Sequence, residues 1–235
     1  MGRAFEFRKA RKFKRWSAMA RTFTRIGKEI VMAVKAGGPD PDSNSRLRAV
    51  MQNAKSVNMP KDNVLRAIKN ASDKDQSDYK EILYEGYGAH GIAILVESAT
   101  NNNTRTVANL RNHFNKCGGS LGVNGSVVFM FDHSCNFKIA KGDHDVEELE
   151  LELIDFGADE IFVEDDSILI YSSFENFGAI QGALEAKKTE IISSGFERIP
   201  NVTKTLTPEQ EEDLNKLLER LEDDDDVQSV YHTML

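Results

Sequence analysis

The chain has 235 residues, 40% hydrophobic and 29% charged, which is the balance of a soluble globular protein and excludes a disordered one. No apolar run approaches the ~20 residues that a membrane span needs. Cys117 and Cys135 stand alone, which excludes a C-x-x-C zinc ribbon or a disulfide framework. The net charge of −8 conceals a segregation: residues 1–74 hold 18 Lys/Arg against 6 Asp/Glu, and the remainder holds 12 against 32. A basic head on an acidic body meets a polyanion at one end only, because the body repels it, so nucleic acid is the expected partner.

Residues 1–20 are too polar for a core. They interleave Arg8, Lys9, Arg11, Lys12, Lys14 and Arg15 with Phe13 and Trp16, and are expected as a mobile basic arm that orders on its partner. The Arg-rich start has the composition of a transit peptide; it has no apolar h-region, so it is not a secretory signal, and it runs unbroken into a helix that the fold needs. A cytoplasmic protein is therefore expected.

From Thr22 a helical period begins. Phe23, Ile26, Ile30 and Val34 form its apolar stripe, with Arg21, Arg25, Lys28 and Lys35 clustered opposite. "AGGPDPDSN" stops it, and Ser43 or Asn44 can cap a second helix that buries Leu47, Val50, Met51 and Ala54 and turns Arg48 and Lys55 outward. Pro60 opens a third helix with Val64, Ile68 and Ala71 inside, and with Lys61, Arg66 and Lys69 as its cations. This is a helical domain over 21–75, followed by the linker "SDKDQSD". Near the start of the third helix only Lys61 and Asn63 could reach a base edge, so the cations point to phosphates.

After the linker the period changes to that of strands. "KEILYEGYG" and "GIAILVESA" predict a hairpin, "TRTVANLRNHFNKCGG" a helix, and "SVVFMFD" a further strand. "NFKIA", "DVEELELELIDFG", "EIFVED", "SILIYSS", "NFGAIQGALEAKKTEIISSG" and "FERIPNVTKTL" then read as strand, helix, strand, strand, helix and strand. That is a ferredoxin-like βαββαβ unit over 136–206. "TPEQEEDLNKLLERLEDDDD" predicts a capped helix, and "VQSVYHTML" a last strand. The preceding ββαβ unit has one helix and an uncovered sheet face, which these last elements can cover. The expected fold class is α+β. A small basic helical domain precedes two α/β domains, a discontinuous one over 79–135 plus 207–235 and the ferredoxin-like one inserted into it.

"GYGAHG" matches G-x-G-x-x-G but is followed by a strand, so it reads as a hairpin turn and not as a dinucleotide fingerprint. "KCGGSLGVNGS" lacks the Lys-Ser/Thr of a P-loop, although its backbone N–H groups could touch phosphates. The histidines are scattered, and "EDDDD" (222–226) lacks the Gly and terminal Glu of a calcium loop, so it reads as a solvated turn. No nucleophile stands in a recognisable context, so neither enzyme activity nor a cofactor or metal is expected. "TNNNTRT" (100–106) reads equally well as a capping loop or as a set of amides and a guanidinium offered to a ligand.

The blocks "FTRIGKEIVMAVKAGG", "NSRLRAVMQNAKSVNMPKDNVLRAIK", "YEGYGAHGIAILVE", "GGSLGVNGSVVFMF" and "LERLEDDDDVQSVYHTM", in this order, resemble the YebC/PmpR family of probable transcriptional regulators, which also includes a mitochondrial translational activator. The resemblance implies three domains, the third inserted into the second. It departs at the start, where "GRAFEFRKARKFKRW" replaces a shorter family stretch, and in "TNNNTRT", which lacks an Asp and an Arg of the family pattern. The implied function is a DNA-binding transcriptional regulator acting through the basic head, with the cations named above and Trp16 as contacts. The alternative it implies is an RNA- or ribosome-associated translation factor. A small-ligand role for the ferredoxin-like unit would leave the basic head unexplained.

Overall fold

The computed structural model describes residues 3–72, 78–142 and 144–235, with the backbone alone described over 3–18. Three helices come first: α1 (Arg3–Gly37), α2 (Ser45–Ser56) and α3 (Lys61–Ser72). Their facing stripes bury Ile26, Ile30, Val34, Leu47, Val50, Ala54 and Val64 in one core. Asn44, not Ser43, caps α2: its side-chain oxygen accepts from the Leu47 N–H, and its amide donates to the Ala33 and Gly38 carbonyls. The backbone of α1 is helical from Arg3, so the separate arm expected over residues 1–20 is, from Arg3 on, the first part of a long helix. No Gly or Pro interrupts the run from Arg3 to Ile26, and Arg, Lys and Ala favour helix.

The chain continues through β1 (Lys80–Tyr87), β2 (Ala93–Thr100), α4 (Asn103–Lys116) and β3 (Ser120–Leu121). Next come β4 (Phe131–Ala140), α5 (Val146–Ile154), β5 (Ala158–Glu164), β6 (Ser167–Ser173), α6 (Phe177–Ala186) and β7 (Ile191–Pro200). It returns through α7 (Pro208–Glu222), opened by a Thr207–Gln210 capping box, and β8 (Val227–His232). Two antiparallel sheets result, β3-β1-β2-β8 and β5-β6-β4-β7. The second sheet has the strand order of a split βαββαβ unit and lies between the parts of the first in sequence. The architecture is α+β, a three-helix domain followed by two α/β domains with the third inserted into the second, as the hydrophobic periods imply.

In the middle domain α4 and α7 cover one sheet face and bury Ile94, Val96, Leu110, Phe114, Leu214, Leu217 and Leu221. Gly88 sits where a Cβ would lie 2.6 Å from Leu214 Cδ1, so this hairpin glycine serves helix packing, while the positive φ falls on His90 and Gly91. In the inserted domain α5 and α6 pack on Cys135, Phe137, Ile139, Ile168 and Ile170.

Two element boundaries differ from the sequence reading. "SVVFMFD" is not a strand of its own: Val128–Met130 form a 3-10 turn, and β4 starts at Phe131 and absorbs "NFKIA". The stretch "EIISS", expected at the end of a helix, belongs largely to β7. Lys188 takes a positive φ after α6, and the β-branched Ile191 and Ile192 favour a strand.

The helical domain touches both others. Its α2 lies along the outer edge of β7, where the Asn53 side chain stands in for a missing strand: Nδ2 donates to the Ser194 carbonyl at 2.7 Å and Oδ1 accepts from the Ser194 N–H at 2.9 Å. Asn53→Ala should cost about 1–2 kcal/mol by leaving both groups unpaired. Hydrogen exchange that leaves the Ser194 amide as protected as in the parent would contradict this.

Candidate nucleic-acid interface

The cations expected to grip phosphates divide into three sets. The first belongs to α1 and faces the protein itself. Lys28 is only 8% exposed, and its Nζ donates to the Ala99 carbonyl at 2.9 Å, the Asp225 carbonyl at 2.6 Å and Asp226 Oδ1 at 3.3 Å. Arg25 donates to the carbonyls of Val227 (3.1 Å) and Glu222 (2.8 Å), and Arg21 pairs with Asp223. The stripe opposite the apolar one is therefore a second packed face. It lies on the turn between α7 and β8, which corrects the expectation that Lys28 is outward. Sequence periodicity identifies a charged face but not the body that faces it.

That turn is "EDDDD", and it is not simply solvated. The Asp226 carboxylate is 5% exposed. It takes Arg105 Nη2 at 2.7 and 2.9 Å and stands 2.8 Å from the Thr106 hydroxyl, besides Lys28. Burial pushes the Asp226 carboxyl up, but Arg105, Thr106 and Lys28 outweigh it and hold it below the usual carboxylate range. Asp224 accepts from Asn109 at 3.3 Å and meets His113 at the same distance. The "TNNNTRT" loop resolves with it. Asn102 caps α4 by accepting from the Arg105 N–H, and the Arg105 guanidinium is committed to Asp226.

The second set is partnered at the surface. Arg48 forms a fork on Glu185, with Nε and Nη2 at 3.2 and 3.1 Å from its two oxygens, and also donates to the Pro41 carbonyl at 2.8 Å. Lys35 pairs with Asp78, and exposed Lys55 lies 3.5 Å from Glu190. The third set faces solvent. Lys61, Arg66 and Lys69 are exposed on α3 without a carboxylate partner among the described residues. The side chains of Arg8, Lys9, Arg11, Lys12, Lys14, Arg15 and Trp16 lie outside the described residues, on the helical backbone of α1.

The end of the glycine loop after α4 turns its N–H groups inward onto a carboxylate of the chain. Glu85, 4% exposed, accepts from the N–H groups of Gly125 (2.6 Å), Val127 (2.7 Å) and Val128 (2.8 Å). Burial raises the Glu85 carboxyl, and the N–H groups of Val127, Gly125 and Val128 overcome it and hold it low. An internal carboxylate thus takes the N–H groups at the end of the loop that a phosphate would have met. No helix is long and apolar enough to cross a membrane among the described residues.

Residues 3–74 match the family model described as the TACO1/YebC protein N-terminal domain, and residues 79–234 match that of the TACO1/YebC second and third domain. A protein of Flavobacterium johnsoniae named as a probable transcriptional regulatory protein is 70% identical over 100% of this chain and 99% of its own. One of Parabacteroides distasonis with the same name is 61% identical over 100% and 97%. The crystal structure of a conserved hypothetical protein from Aquifex aeolicus is similar with a TM-score of 0.76 and 32% identity, covering 92% of this chain and 90% of that one. With both models together spanning nearly its whole length, the chain belongs to the TACO1/YebC family.

Proposed function

We propose that the protein is a DNA-binding transcriptional regulator that holds the phosphate backbone through α3 and the basic first part of α1. The observation that carries this is the exposure of Lys61, Arg66 and Lys69, which meet no carboxylate among the described residues, when most of the described cations of α1 and α2 are spent on contacts within the chain. The names of the relatives, probable transcriptional regulatory proteins, support the same reading.

A second reading, an RNA-bound or ribosome-associated translation factor, is favoured by the position of α2. In a helix-turn-helix the first helix crosses the DNA backbone. Here α2 is held against β7 and Glu185 and is not free to cross a duplex backbone in that way, whereas RNA gripped through its phosphates needs no such helix.

Fluorescence anisotropy on a 30-base-pair DNA duplex and a structured RNA, between 50 and 200 mM salt, tests both readings. Replacing Lys61, Arg66 and Lys69 by Ala should flatten the log–log salt dependence on duplex DNA by about 0.9 per lost phosphate contact. An unchanged slope would remove α3 from the interface. Tighter binding to RNA at every salt concentration would select the translation reading.

A further inference from the structure

The sheet of the inserted domain is covered unequally. Helices α5 and α6 pack on one face, and Asn53 occupies the outer edge of β7. At the other edge, among the described residues, β5 pairs with β6 alone. Along β5, Glu160, Phe162 and Glu164 alternate onto the sheet face away from the helices, opposite Tyr171, Leu169 and Ser167 of β6. Phe162 is 48% exposed and Ile199, farther along the same face, 40%. A groove of roughly 660 Å³ runs between these apolar side chains, with Glu160, Glu164 and Glu197 on its walls and no lysine or arginine in its lining. Lys138 stands beside it, its Nζ 2.8 Å from Glu164.

Aromatic side chains on an open ferredoxin-like sheet can stack on unpaired bases. Here the wall carboxylates repel the phosphates that would come with those bases. A cationic polypeptide meets no such conflict. An edge guarded only against strand pairing needs the carboxylates but not the half-exposed phenyl ring between them.

We propose that β5 and the open face beside it dock an extended, basic segment of a partner protein. In that segment two Lys or Arg residues flank one aromatic or branched apolar residue at alternate positions. The free N–H and C=O groups of β5 supply the main-chain pairing, as in strand addition. The apolar side chain lies against Phe162 and the groove, and the two cations meet Glu160 and Glu164, the latter shared with Lys138. This site is independent of the α3 interface, and the two can fail separately.

The test uses the full chain and a fluorescein-labelled peptide of sequence TKTFTKTFTK. The peptide should bind in a salt-dependent way and should shift the β5 backbone amides in a nuclear magnetic resonance titration. Phe162→Ser, and Glu160→Lys with Glu164→Lys, should each weaken it at least tenfold, with the thermal transition unchanged as evidence of folding. The alanine variants of α3 should bind the peptide like the parent. Equal affinity for a peptide with Glu in place of Lys, or amide shifts confined to other elements, would overturn the proposal. So would displacement of the peptide by a uridine oligonucleotide, which would give the face to nucleic acid. Self-association abolished by Phe162→Ser would give it to a second copy of the chain and would also overturn it.

Discussion

Asp226→Ala should destabilise the protein by about 3–5 kcal/mol, because it strands a buried cation. The Lys28 ammonium keeps its two carbonyl acceptors, Ala99 and Asp225, but loses the carboxylate that balances its charge at 9% side-chain exposure. Water cannot readily replace it. For a chain of this length the loss corresponds to roughly 10 °C in the melting temperature. Lys28→Met in the same background should recover a large part of the loss, since removing both ions from a buried site is much less harmful than removing one. Urea denaturation of the two single variants and the double variant measures this. A double variant no more stable than Asp226→Ala would show that the damage runs through Arg105 and Thr106 and not through Lys28.

Glu85→Ala should cost about 3 kcal/mol, slightly less than the loss at Asp226, because neutral donors are left unpaired rather than a charge. Three N–H groups between Gly125 and Val128 converge on this carboxylate, and the Glu85 carbonyl accepts from Gly122 at 2.7 Å. The residue thus fixes the loop through which the chain enters the inserted domain. The variant should show faster hydrogen exchange over 122–128 ahead of global unfolding.

Glu85 also sets a pH limit. Its carboxyl is held low in the fold, so its contribution is present above the ordinary glutamate range and fades as pH falls through the lowered value. Glu29 acts in the opposite sense. Burial pushes it up to about 7, so its contribution is complete below the ordinary value of 4.5 and is lost as pH rises through about 7. Glu85→Gln should therefore remove part of the loss of thermal stability on acidification, a loss that Asp226 shares, and should leave the change near neutral pH in place.

Local patterns in the sequence carried the fold a long way. The spacing of Phe23, Ile26, Ile30 and Val34, the alternation in "IAILVE" and the capped start at Thr207 each express a preference that neighbouring residues settle. The order of helices and strands was enough to place one α/β unit inside another. The misreadings arose where a partner lies far away in sequence. Lys28 looks like any surface lysine until the turn 198 residues later packs against it. "EDDDD" looks solvated for the same reason, and the backbone N–H groups of "KCGGSLGVNGS" look available to phosphates because Glu85, which takes that of Gly125, is some 40 residues upstream. That Lys61, Arg66 and Lys69 are exposed follows from the spacing of α3, and no distant carboxylate meets them among the described residues.

The placement of the insertion has a consequence for synthesis. A chain made from its N-terminus completes the helical domain and the ferredoxin-like unit before α7 and β8 leave the ribosome. Until then Ile94, Leu110 and Phe114 have no α7 to cover them, and Lys28 waits in water for Asp226. The middle domain, begun second, is finished last, and the nascent chain carries an apolar sheet face covered by α4 alone throughout translation of the inserted unit. A premature stop after β7 and before α7 would release a protein with two well-formed domains and an adhesive third.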